Sequence, residues 1–173
     1  MAHGLNTIIY SFTGGSDGAA ASGPLAIGSG GVLYGTTSKG GTGACSPAGS
    51  GCGTVFSLAP PASPGGAWTK TVIHSFAGGP SGWGPEGVVI GRGGALYGLT
   101  YGGGTSGLQG TVFAVLPPAS PGGAWVARML HSFKGYPTDG SAPSSLAIGS
   151  GGVLYGTTNS GGIDCVFAAQ CFR

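Results

Sequence analysis

Apolar positions in this chain come in short runs, each broken within a few residues by glycine or proline. Three such runs share a form: Leu25-Ala-Ile27-Gly28, Val88-Val-Ile90-Gly91 and Leu146-Ala-Ile148-Gly149. Each leads through a Gly-Gly pair into a second run, Gly31-Val-Leu-Tyr-Gly-Thr-Thr37, Gly94-Ala-Leu-Tyr-Gly-Leu-Thr100 and Gly152-Val-Leu-Tyr-Gly-Thr-Thr158. A third run follows in two of the units, Gly53-Thr-Val-Phe56 and Gly110-Thr-Val-Phe113. The nine-residue phrase from Pro60 to Trp68 then recurs unchanged from Pro117 to Trp125, and His74-Ser-Phe76 and His131-Ser-Phe133 close the units. Short β-prone runs separated by turn signals read as strands. The Gly-Gly pair suits a tight hairpin, and Pro-Gly-Gly suits a second turn. No window free of glycine and proline carries the apolar period of a helix.

The pattern therefore predicts an all-β chain. Four strands per unit, repeated at about 60 residues, are the signature of β-propeller blades. The strands are expected in the order inner, second, third, outer. Leu5-Asn-Thr-Ile-Ile-Tyr-Ser-Phe12 matches the runs ending in His74-Ser-Phe76 and His131-Ser-Phe133. An outer strand is thus expected first, over residues 5–12, with blade one over 24–76, blade two over 87–133 and an incomplete blade three over 145–173. In the last unit either Val166-Phe-Ala168 is the third strand, or the stretch after Gly162 is only the loop before it, equivalent to 43–53, and the chain is truncated. Propellers hold about 4–8 blades, so three blades predict closure by oligomerisation. A dimer forming a six-bladed ring is the favoured arrangement, each N-terminal strand completing a last blade.

Composition narrows the function classes. Of 173 residues 41 are glycine and only 6% are charged, with net charge +2. The basic residues are scattered, so a nucleic-acid surface is excluded. No apolar run reaches the ~18 residues of a membrane span. Met1-Ala-His-Gly4 lacks the charged and apolar regions of a signal peptide and reads as an expression start or an internal gene start. There is neither a Gly-x-Ser-x-Gly elbow nor a phosphate loop with its lysine.

The order Ser-Phe-x-Gly-Gly-x-Asp-Gly, Leu-Tyr-Gly-Thr-Thr-x-x-Gly-Gly, Gly-Thr-Val-Phe resembles the GloVer tandem-repeat family of bacteria. The resemblance covers nearly the whole chain. It implies propeller-like repeats in secreted or surface-anchored proteins, hence an extracellular or cell-surface home, and it carries over no catalytic residue. The second unit departs from the pattern, with Pro80-Ser-Gly-Trp83-Gly in place of Asp-Gly. Family members usually carry more repeats, so a fragment of a longer protein fits.

Candidate chemistry is sparse. Asp17 and Asp139 sit in equivalent turns, where Asp commonly caps its own backbone. His74 and His131 are equivalent to Tyr10, which suggests packing at the end of the outer strand. If the His-Ser-Phe ends, the Asp-Gly turns and the cysteine loops share one propeller face, these histidines and carboxylates are candidates to hold a divalent metal and activate water. Glu86, opposite Gly23 and Ser144 in the repeat, and Arg92, opposite Ser29 and Ser150, break the pattern near the expected channel mouth. Drift or a channel contact both account for them. Cys45 with Cys52, and Cys165 with Cys171, suggest two local disulfides, or less readily zinc. Trp83 and Tyr101 are expected in loops, where exposed aromatics stack on sugar rings and other flat apolar faces. Trp68 and Trp125 are expected to pack between blades. The leading expectation is a module binding a glycan or small molecule on its loop face or in its channel. The rivals are a hydrolase of esters or phosphoesters, metal-assisted or built on His and Asp, and a structural repeat without ligand.

Overall fold

A computed structural model describes residues 7–45, 50–162 and 170–172. Its strands form three sheets in which every neighbouring pair is antiparallel. The first holds β1 (Ala19–Ile27), β2 (Leu33–Lys39), β3 (Thr54–Ala59) and β4 (Thr69–Ser75) in sequence order. The second repeats that order with β5 (Trp83–Ile90), β6 (Leu96–Gly102), β7 (Thr111–Leu116) and β8 (Val126–Ser132). The third contains β9 (Gly140–Ile148), β10 (Leu154–Gly161) and β11 (Gln170–Phe172). Among the described residues there is no α-helix, only single 3-10 turns before or between strands.

Two strand assignments change. Residues 7–13 lie in no strand, which corrects the expected outer strand over 5–12 for its described part. Phe12 nevertheless sits where the repeat demands. Its ring meets Phe56 edge-on at 5.0 Å, as Phe76 meets Phe113 at 5.0 Å. In the third sheet, β11 pairs Phe172 with Gly156, as β7 pairs Phe113 with Gly98. The third strand is therefore 170–172, which corrects the reading of this stretch as only a loop, and the other placement at Val166-Phe-Ala168 lies outside the described residues.

Successive sheets pack through their first two strands, with β1 and β2 against β5, and β5 and β6 against β9. One core cluster joins sheets one and two through Val55, Phe76, Val88, Leu96 and Phe113, with Ala26, Tyr34, Ile90 and Trp125 packed on it. Burying such side chains drives the sheets together at about 25 cal/mol per Å² of apolar surface. Trp125, from the segment before β8, meets Tyr34 of the first sheet at 6.2 Å. It bridges neighbouring sheets.

The same backbone contact recurs at each junction. The Gly84 N–H donates to the Cys52 carbonyl at 3.0 Å, and the Ala142 N–H donates to the Gln109 carbonyl at 3.0 Å. Gly53 and Gly110 lie directly beneath the prolines of the next sheet. A Cβ on Gly53 would stand 2.4 Å from Pro85 Cδ, and one on Gly110 2.5 Å from Pro143 Cδ. Only glycine allows that approach.

Candidate functional site

The turn before each first strand and the loop after each second strand meet at one end of the sheets. The Gly41 N–H donates to Gly15 O at 2.8 Å, Gly104 to Gly79 O at 2.9 Å and Gly162 to Asp139 O at 2.9 Å. This end carries the cysteine loop of the first unit, where Cys45 and Cys52 are joined in a disulfide with Cα atoms 5.1 Å apart. Cys52 is fully buried, and Gly78 lies against both sulfurs. Cys165 lies outside the described residues. Cys171 falls within β11, at the position Val112 holds in β7.

Beside the disulfide runs a groove of about 290 Å³ lined by Ala44, Cys45, Gly78, Gly79, Trp83 and Leu108. Trp83 opens β5 and Tyr101 lies within β6, which corrects their expected place in loops. Trp83 pairs with Gly102 across the ladder. A Cβ there would stand 2.3 Å from the indole Cζ2, so the glycine lets the indole lie across both strands. Tyr101 packs edge-on against Trp83 with centroids 5.5 Å apart and keeps half its surface exposed. Trp83, backed by Tyr101, thus lines one open groove together with the exposed Leu108 and Cys45 of the disulfide.

The ionisable groups at this end separate into distinct clusters. Asp17 accepts from the Tyr10 hydroxyl at 2.7 Å, the Thr13 N–H at 2.8 Å and the Lys70 ammonium at 2.8 Å. Burial raises the Asp17 pKa, but the bonds from Lys70, Thr13 and Tyr10 outweigh it and hold the carboxyl well below the usual range. The same carboxylate raises the Tyr10 pKa, since the phenol donates to it. Between the second and third sheets the His131 Nε2 lies 3.0 Å from Asp139 Oδ2, and Asp139 also accepts from the backbone N–H groups of Lys134 and Gly140. His74 has no such carboxylate, because Ser81 occupies that turn and donates to Gly78 O. Burial lowers the His74 pKa. Asp17 and Asp139 do more than cap their turns: each ties the aromatic or histidine of the preceding Ser-Phe segment to the turn. Among the described residues no three His, Cys, Asp or Glu side chains converge as a metal site.

Three units therefore share one loop-end geometry, carried by the Ser-Phe and Gly-Gly positions, with Asp-Gly in the first and third units and Ser-Gly in the second. The family model for the Gloeobacter/Verrucomicrobia repeat matches residues 1–166. The chain belongs to that repeat family. Comparison with curated proteins and with solved structures finds no match.

Within the repeat family's frame, Glu86 and Arg92 fall in different places. Glu86 is exposed and lines a cleft of about 160 Å³ with Pro24, Val89, Tyr97, Ser144 and Leu146, where the first strands of the three sheets approach. Its counterpart in the first unit is Ser22 rather than Gly23. Ala21, Pro85 and Pro143 pair with Thr37, Thr100 and Thr158, and Ser22, Glu86 and Ser144 come next. Ser22 donates to the Pro85 carbonyl at 2.8 Å, and the Gly87 N–H donates to Thr36 Oγ1 at 2.7 Å, so polar bonds stitch the sheets beside this cleft. Arg92 lies in the β5–β6 hairpin turn, at the opposite end of the sheet from Trp83. Lys70, Leu108 and Gly102 join the candidate residues at the loop end. Lys70 has Ala127 as its repeat equivalent, and that charge break was the available signal.

Proposed function

We propose that this chain is an extracellular β-propeller repeat module that binds a glycan, or another ligand with a flat apolar face, in the groove at the loop end. The observation that carries the reading is Trp83, backed edge-on by Tyr101, lining a groove with Leu108 and with Cys45 of the Cys45–Cys52 disulfide. Sugar rings present apolar C–H faces that stack on aromatic rings, and pockets of this kind combine an apolar wall with a few polar backbone groups. The disulfide supports an oxidising compartment. Sheets that pack in sequence through their first strands support blades, closed into a ring by a second copy. A glycan array followed by calorimetry on the best binder tests the module. Trp83→Ala is expected to remove binding while the fold persists. Binding undiminished by that change, or no glycan bound at all, would sink the reading.

One observation favours a second reading, hydrolysis of esters or phosphoesters. His131 is half exposed at the same end and paired with Asp139, and a histidine oriented by a carboxylate is the usual general base. Turnover of a chromogenic ester or phosphoester that is lost in His131→Ala would support it, and chelator controls would separate metal-assisted chemistry.

A further inference from the structure

The chain leaves two apolar faces open, and each is the repeat equivalent of a face already used inside it. Sheet two receives sheet one on Val88 and Ile90, which pack with Ala26 and Tyr34. Sheet three meets sheet two in the same way. Leu146 faces Val89 and Tyr97 across the cleft, and Ile148 Cδ1 comes within 3.0 Å of where a Cβ on Gly91 would stand. In sheet one the receiving residues are Leu25 and Ile27, and they are 50% and 73% exposed, whereas Val88 is 4% exposed. In sheet three the donating residues are Ala147 and Tyr155, with Tyr155 46% exposed.

We infer that the open face of sheet one docks on the open face of sheet three of a second copy of this chain, Ile27 and Leu25 against Tyr155 and Ala147. This rests on the ring reading above and assigns its contact residues. The occupant follows from complementarity: the same two surface types already meet twice within one chain, so a copy of sheet three offers the shape and chemistry that sheet one lacks. Two further features agree. Ala20 holds the left-handed φ of 55° that Gly84 (63°) and Ala142 (50°) use to present an N–H to the preceding sheet. A non-glycine residue rarely adopts that conformation without a partner contact. Tyr10 and Phe12 meet at 5.2 Å, as His74–Phe76 and His131–Phe133 do at 4.8 and 4.7 Å, so the segment before sheet one carries the side chains that the end of a preceding sheet's β4 or β8 supplies elsewhere. A head-to-tail contact closes into a ring when the rotation allows it.

Light scattering coupled to size exclusion tests the contact on the whole 173-residue chain. The wild type is expected at twice the 16.5 kDa chain mass. Ile27→Asp and Tyr155→Asp should each weaken association about 30-fold or more, the loss typical of a central interface position. Circular dichroism should show both still folded, because both positions are exposed in the single chain, and Val126→Asp on β8 should remain assembled. Mixing the two variants provides the decisive reading: one Ile27→Asp copy and one Tyr155→Asp copy still share one intact contact, so dimers should return. Wild type that stays monomeric at tens of micromolar, a Tyr155→Asp variant that stays assembled, or a mixture that stays monomeric would overturn the inference. Glycan binding in the Trp83 groove would survive any of these, since every residue lining that groove comes from one chain.

Discussion

The Lys70 ammonium, almost fully buried, lies 2.8 Å from the Asp17 carboxylate across 53 residues of sequence. It also bonds the Asp17 backbone carbonyl and lies 5.4 Å from the Phe12 ring centroid. One lysine on β4 thus holds down both the turn before β1 and the segment that precedes it.

The pair predicts an acid-sensitive clamp. Asp17 titrates lower in the folded chain than its reference value of 3.8. The unfolded state therefore binds more protons over that window, and the stabilisation is present above about that value and lost as pH falls below it. Asp17→Asn should lower stability at neutral pH by roughly 1–3 kcal/mol, the range for bonds to a charged group, nearer the low end because the carboxylate is partly exposed. Urea midpoints between neutral and acid pH check this, with wild type and variant converging at the acid end.

His74 acts in the same direction over a higher pH window, for a different reason. Burial against Phe76 lowers its pKa below the reference 6.5, so the unfolded state takes up a proton first as pH drops. Stability should fall as pH drops below about that reference and recover above it. Replacing His74 with Phe should flatten this slope, measured as thermal midpoints across the same pH range. An unchanged slope would place the titrating group elsewhere.

The Cys45–Cys52 bond closes a short loop whose second cysteine sits in the core. Without reductant both thiols should resist alkylation even in denaturant. Reduction, or the Cys45→Ser change, should cost about 2 kcal/mol on the loop-entropy estimate for so short a closure. It should also weaken ligand binding in the groove, which Cys45 lines.

Gly102→Ala tests the aromatic groove without removing an aromatic. The added methyl would meet the Trp83 indole, so the ring must tilt. A stability loss of about 1–3 kcal/mol is expected for such overpacking, together with a shifted tryptophan emission and weaker glycan binding. Unchanged emission would mean that the indole does not rest on Gly102.

Much of the fold was legible because the units repeat: eight strands of two sheets follow the apolar runs, and Trp125 packs on the neighbouring sheet as expected. The errors have physical causes. Trp83-Gly-Pro reads as a turn, yet Trp83 pairs with Gly102 because the strand begins as soon as the Asp-Gly position is passed. Ser22 was hidden behind Gly23 because β1 carries one residue more than β5 or β9 before its shared Ile-Gly, and a bulge absorbs it. Lys70 showed only as a charge break against Ala127, because its partner is distant in sequence. The Trp83 groove needed both the disulfide loop and Leu108, two features that the repeats do not share.

The hydrogen bonds from Gly84 to Cys52 and from Ala142 to Gln109 have a consequence for how such chains change length. Each of the first two sheets carries a socket just before its third strand, and the sheet that follows begins with the matching plug, so adding or deleting one whole unit recreates such a junction as it was. Losing part of a unit strands a plug without its socket. Viable lengths of this architecture should therefore be quantised in whole sheets, and the junction, more than any single sheet, sets the grain of that scale.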